Sequence, residues 1–274
     1  MKKMNDDTIV EFGKTYKVAL ISTIDDLGEP HISFITTLQA KDESRLVSGE
    51  FITGLSKKYM QERNKVGFLV MSLNKDWWNG SAIWKEKQTS GEDYEKFNQI
   101  PMFRYNTYFG IHTVHYYDLE SVSEKHKLDM TGIIINAVSN ILVKSILNNR
   151  KSPQALTKWS YDLLKGISTL KFISFIGDDG YPKLYPIVQA QACNRGRIVI
   201  PMHPYNKELS QIKDNTKVAV MGLNLDMLDV LVKGTFKGVK NTILGKMGYM
   251  DIERVYNSLP PKHGYIYPVM SEGL

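Results

Sequence analysis

Residues 17–24 (KVALISTI) are almost wholly apolar or β-branched, and a polar segment, Asp25-Asp26-Leu27-Gly28-Glu29-Pro30, separates them from a second such run, residues 31–38 (HISFITTL). Two runs of this kind around a Gly-containing turn read as a β-hairpin. A polar turn at residues 41–44 then leads to residues 45–52 (RLVSGEFI), a third strand. Ser56 opens a short helix through Asn64, residues 66–71 (VGFLVM) read as a fourth strand and residues 81–87 as a fifth.

The same pattern returns further on. ISTIDDLGEP at residues 21–30 matches ISFIGDDGYP at residues 173–182, and Gly28 to Gly180, Pro30 to Pro182, Arg45 to Arg197 and Val66 to Val218 all lie 152 apart. One long period repeated twice indicates two copies of a domain rather than a solenoid. The second copy is expected to run through strands at residues 170–176, 183–190, 197–202, 217–222 and 233–239, with a helix near residues 207–212. Six or so antiparallel strands with one short helix per copy predict a mainly β fold, two small closed or split β-barrels. Between them, residues 131–148 place Ile134, Val138, Ile141, Leu142 and Ile146 near a 3.6 period, and residues 153–165 form a second helical segment with Pro at its start. These helices are expected to link and cover the barrels. The boundary is placed in NNRKS, giving domains 1–149 and 150–274.

Composition narrows the class. With 42% hydrophobic and 23% charged residues among 274, the chain is an ordinary globular one, long enough for two cores. Cys193 is the only cysteine, which excludes an internal disulfide and fits a reducing cytoplasm. The N-terminus has two lysines but no apolar stretch before Asp6 and Asp7, against a secretory signal, and no segment reaches the roughly 20 apolar residues of a membrane span. A net charge of +6, spread along the chain, predicts neither nucleic-acid nor membrane partners.

The chemistry concentrates where the third strand meets the helix. Thr53, Gly54, Ser56, Lys57 and Lys58 bring hydroxyls, a flexible backbone, a helix N-terminus and two ammonium groups into six residues, which suits a phosphate. The structural alternative is that Ser56 is an N-cap and the lysines a solvated helix face. At the 152 offset the corresponding residues are Tyr205, Asn206, Lys207, Glu208, Leu209 and Ser210, so the second copy is expected to lack a full phosphate site.

Taken together, the Asp-x-x-Gly-x-Pro turn, the strand ending in Thr53, the Ser56-Lys57-Lys58 helix start and the Asn64-x-Val66 strand resemble the pyridoxamine 5'-phosphate oxidase-like FMN-binding split-barrel family. The resemblance is good over residues 17–71 and weaker over residues 170–223. It implies that Thr53, Ser56, Lys57 and Lys58 hold the phosphate of FMN, with Lys57 standing where the family has Arg and Ser33 where it has a second-strand Arg; Lys lacks the bidentate fork. It also implies that Phe34, Ile35, Thr36, Phe51 and Ile52 run along the flavin and that Trp78 and Asn79 lie near its ring, although paired tryptophans are as often core. Because family members usually work as homodimers, the two copies are expected to form an intramolecular pseudo-dimer with one FMN site, with a further homodimer as an option.

Residues 101–119 (PMFRYNTYFGIHTVHYYDL) gather Arg104, Tyr105, Tyr108, His112, His115, Tyr116 and Tyr117, either as a substrate wall or as packing between barrel and helix. No catalytic triad or metal spacing is legible. The expected function is an FMN flavoprotein, an oxidoreductase acting on a small molecule or electron carrier. The alternative is a non-catalytic store or sensor of flavin or of haem, with His112, His115, His203 or His263 as iron ligands.

Overall fold

The computed structural model describes residues 2–103, 109–133, 153–224, 226, 228–242, 245–258 and 264–268. It divides into two compact units: Met1–Gly28, Ile32–Leu128 and Asp178–Leu184 form the first, and Glu29–His31, Asp129–Gly177 and Tyr185–Leu274 the second.

The first sheet and its helices comprise helix α1 (Asp6–Gly13) and strands β1 (Lys17–Ile24), β2 (Pro30–Phe34), β3 (Gln39–Asp42) and β4 (Arg45–Glu50). Helix α2 (Leu55–Glu62) follows, then β5 (Lys65–Ser72), β6 (Asp76–Gln88), helix α3 (Glu92–Gln99), β7 (Thr113–Val122) and β8 (His126–Lys127). The sheet order is β2-β1-β5-β6-β7-β4-β3, with β8 paired to β6. Its two edge strands are consecutive in the chain. Laid flat, six strand gaps of about 4.8 Å would separate them by about 29 Å. Five Cα steps from Phe34 to Gln39 reach at most about 19 Å, so the sheet must curl into a barrel that stays split between β2 and β3. The joining segment is held on both sides of the split: the Ile35 N–H donates to the Ala19 carbonyl at 2.8 Å, and the Thr37 hydroxyl donates to the Gly49 carbonyl at 2.6 Å.

The barrel core follows the period of two. Ala19 and Ile21 of β1 and Val66, Phe68 and Val70 of β5 face Phe12, Leu46, Met60, Trp78 and Tyr117. Strand β7 is buried on both faces: Tyr117 and Leu119 enter this core, whereas Val114 and Tyr116 join Val47 in an outer cluster with Phe97 of α3, Phe103 and Ile111.

In the second sheet and its helices, helix α4 (Lys158–Lys165), capped by the Thr157 side chain, precedes β9 (Leu170–Ile176), β10 (Pro182–Pro186), β11 (Gln191–Asn194) and β12 (Arg197–Pro201). A one-turn helix α5 (Asn206–Leu209) leads to β13 (Lys217–Leu223), β14 (Asp229–Thr242), β15 (Gly245–Asn257) and β16 (Gly264–Tyr267). The order β10-β9-β13-β14-β15-β12-β11 repeats that of the first sheet. The turns Gly28 and Gly180 both take φ of +76°, a backbone state that L side chains rarely adopt.

The mainly β class and the two sheets agree with expectation; several element bounds do not. The strand expected through residue 38 stops at Phe34, and residues 39–42 form β3, because the chain must cross the split there. The third strand ends at Glu50 and the helix spans Leu55–Glu62. Helices α1 and α3 and strands β7 and β15 were not anticipated. Of the helical span 153–165 only Lys158–Lys165 is helical; the span 134–148 and the boundary at 149–152 lie outside the described residues. Among the described residues no helix is long and apolar enough to cross a membrane.

Candidate functional site

The turn from β4 into α2 brings the polar groups of the first unit together. Strand β4 presents Leu46, Ser48 and Glu50 on one face, and Leu46 lies in the barrel core, so the two polar side chains point inward with it. Ser48 shares a 2.9 Å hydrogen bond with the Tyr117 hydroxyl. Glu50 meets His115, which comes from β7 at 2.7 Å (Nε2 to Oε2); both residues are buried.

The proton on His115 can be assigned. Trp84 Nε1 is 3.2 Å from His115 Nδ1 and can only donate, so Nδ1 is the acceptor and the neutral ring carries its hydrogen on Nε2, donating to Glu50. Burial holds the His115 pKa below its ordinary value, with Glu50 opposing the shift. For Glu50 burial alone would raise the pKa, but the His115 hydrogen bond, the Lys57 charge and the Thr53 side chain outweigh it and keep the carboxyl below the usual range. The second carboxylate oxygen, Oε1, is buried and accepts no hydrogen bond among the described residues.

Helix α2 forms because LSKKYMQE consists mostly of good helix formers and buries Ser56, Tyr59 and Met60 along one side. Gly54 is its N-cap and offers no side-chain oxygen to the first turn. A Cβ at Gly54 would meet nothing within 4 Å, so there is open space beside the N-cap. Lys57 is buried at the same end, and burial lowers its pKa against the opposing pull of Glu50.

Thr53 and Lys57 thus both act on Glu50. Thr53 is exposed, its side chain acting on Glu50, and Ser56 is buried. Lys58 points outward, 3.2 Å from Asp26 and 3.7 Å from Glu62. The remaining expected flavin contacts are placed elsewhere. Ser33 and Phe34 are half-buried on the edge strand β2, and Ile35 and Thr36 occupy the crossing of the split, Ile35 packing on the core. Phe51 is half-buried with its ring edge-on to Phe103 at 6.5 Å, and Ile52 is exposed. Trp78 is a core residue beside Phe12 at 5.9 Å, and Asn79 is half-buried on β6.

His115 spends both ring nitrogens on Trp84 and Glu50, so it is not available as a haem ligand. His112 bonds Thr113, while Arg104, Tyr105, Tyr108 and His263 lie outside the described residues. Glu50 and Trp84 escaped the sequence reading. The signal was the inward-facing alternation Leu46-Ser48-Glu50, a charge at a core position.

Comparison with solved structures finds distant likenesses. An FMN-binding protein from Syntrophomonas wolfei subsp. wolfei is 16% identical over 45% of this chain and 86% of its own, with a TM-score of 0.39. General Stress Protein 26 from Bacillus anthracis str. Sterne is 13% identical over 44% of this chain and 97% of its own, TM-score 0.35. A FAD-binding protein from Mesorhizobium loti is 11% identical over 44% and 91%, TM-score 0.31. No protein-family model and no curated protein matches the chain. Likeness at this level does not extend to ligand or activity, and the architecture rests on the strand order above.

Proposed function

We propose that the first unit binds FMN through its phosphate and that the chain is a flavin-dependent oxidoreductase acting on a small molecule or an electron carrier. The observation that carries this reading is the start of α2. An uncapped helix N-terminus with open space before it, the Thr53 and Ser56 hydroxyls and the buried Lys57 ammonium suit a phosphate monoester. The motif resemblance narrows the ester to FMN. Bound there, the flavin would supply the redox chemistry; Thr53, Ser56 and the first N–H groups of α2 would hold the phosphate, and Lys57 would balance its charge. Lys58, paired with Asp26 and Glu62, would contribute only from the periphery.

On the same reading the chain is a tandem duplication, divided near residues 149–152, whose two units act as a fused pair with a single flavin. The second unit lacks the recipe: Glu208 sits in the first turn of α5, and Leu209 is buried where Lys57 stands in the first unit. Reconstitution followed by absorbance quantification is expected to give one FMN per chain. Two flavins, or none, overturns the proposal. Photoreduction followed by reoxidation with candidate acceptors then separates an enzyme from a store.

A further inference from the structure

The phosphate site contains a group that a phosphate site does not ask for, a buried carboxylate. Glu50 Oε1 has no well-formed hydrogen bond among the described residues, the residue is 5% exposed, and the Thr53 side chain, by a weak hydrogen bond, and Lys57, by its charge, both favour the carboxylate. Its other oxygen is occupied by a neutral imidazole whose tautomer Trp84 holds in place. The cluster is not a requirement of the fold. Strand register makes Phe236 and Gly248 the second unit's counterparts of Trp84 and His115, and the 152-residue offset makes Met202 and Leu209 the counterparts of Glu50 and Lys57.

We propose that Glu50 makes this a site for a protonated phosphate monoester, one proton being shared between a phosphate oxygen and Glu50 Oε1 when the ligand is bound. The inference rests on the anion-site reading above. A phosphate monoester above its second pKa of about 6 is a dianion, and two oxyanions brought into contact in a buried site cannot both stay ionised. The ligand therefore arrives as the dianion, and one proton is taken from solvent to bridge the two oxygens, with no other bond made or broken. The groups that face Glu50 allow this. Lys57 from α2 supplies one positive charge; Thr53 and the Tyr117 and Trp84 side chains are uncharged; His115 already donates its single hydrogen, and Lys87 acts on it from β6. His115 is a positioning residue that fixes Oε2 and leaves Oε1 to the ligand.

Isothermal titration calorimetry of the full chain with FMN at pH 8, in two buffers of different ionisation enthalpy, counts the protons. Uptake of about one proton per FMN is expected, with affinity falling close to tenfold per pH unit between pH 7 and 8. Riboflavin, which lacks the phosphate, is expected to bind without uptake. Glu50→Gln is expected to remove the uptake and flatten the pH dependence. Wild-type FMN binding without proton uptake overturns the proposal, and so does uptake with riboflavin. Uptake that persists in Glu50→Gln also overturns it, because the proton then goes to Lys57 or His115. If FMN fails to bind but phenyl phosphate binds with uptake, the flavin reading falls and this one stands. If neither ester binds, both fall. The wild-type proton count decides the matter even where Glu50→Gln folds poorly.

Discussion

The two units share a strand order and fill one place inside it differently. In the first, Ser48 bonds Tyr117, Glu50 bonds His115, Trp84 bonds His115 and Lys57 lies buried beside them. Cross-strand register fixes the counterparts: Ser48 opposes His115 as Ile200 opposes Gly248, and Trp84 opposes Tyr117 as Phe236 opposes Met250. Glu50 and Lys57 correspond at the 152 offset to Met202 and Leu209. A Cβ on Gly248 would come 2.7 Å from Phe236 and 3.2 Å from the Met202 sulfur, so these apolar groups fill the space that the polar cluster fills in the first unit. The same barrel thus tolerates either content. Burying charges costs several kcal/mol per ion, of which mutual attraction returns only part. The second unit shows that an apolar filling serves the fold, so the charges in the first are not a requirement of it.

The sharpest way to break this comparison is to transplant the second unit's residues. Glu50→Met alone leaves the His115 Nε2–H without its acceptor and removes the charge that favours the buried Lys57 ammonium, and is expected to lower stability by about 1–3 kcal/mol. Glu50→Met, Lys57→Leu, Trp84→Phe and His115→Gly together are expected to fold within about 2 kcal/mol of the wild type and to lose FMN binding altogether. Urea denaturation and flavin titration read the two effects, and a combined variant less stable than the single one would contradict the equivalence of the fillings.

A second contrast is Lys17, buried at the start of β1, against Thr169 at the matching position before β9. Burial lowers the Lys17 pKa from 10.5 to about 8, so between these values the unfolded chain binds more protons and this group's contribution to stability rises with pH. Relative to Lys17→Thr, the wild type is expected to gain about 2–3 kcal/mol between pH 7.5 and 10.5, read from urea midpoints of both proteins at the two pH values.

Trp84→Phe is a smaller perturbation. It removes the donor that holds His115 Nδ1, at about 1 kcal/mol for one hydrogen bond. Because burial keeps the native His115 pKa below 6.5, the unfolded chain gains its proton first as pH falls, and stability declines below pH 6.5. Trp84→Phe is expected to raise the His115 pKa and lessen that decline, observable by NMR titration of the imidazole. Smallest of all is Lys58→Ala: an exposed lysine paired with Asp26 and Glu62 is expected to leave stability unchanged and FMN affinity within about threefold.

Much of the fold was legible along the chain. Val66, Phe68 and Val70 alternate as a half-buried strand must, and Gly28 and Gly180 mark equivalent turns. The exact spans β1 (Lys17–Ile24) and β9 (Leu170–Ile176) follow from their β-branched runs. Residues 35–38 misled because a chain crossing a barrel split keeps the apolar character of a strand while losing its ladder partners. The repeat itself stopped being readable after β6. Arg45 pairs with Asp118 and Arg197 with Asp251, so an offset of 152 on one strand becomes 133 on its neighbour. The longer connection in the first unit, which carries α3, hides β7 from any comparison at constant spacing.

By itself the sequence determined most of the strands, the turns, the recurrence of one pattern and the clustering of hydroxyls and lysines from Thr53 to Lys58, because these depend on residues close together in the chain. Tertiary structure alone decided that Glu50 meets His115 and Trp84, and that Trp78 is core. Which side chains become neighbours across a sheet depends on strand order, and here β4 pairs with β7, whose bonded residue lies 65 positions away. No local periodicity encodes that choice; it follows from the closure of the barrel.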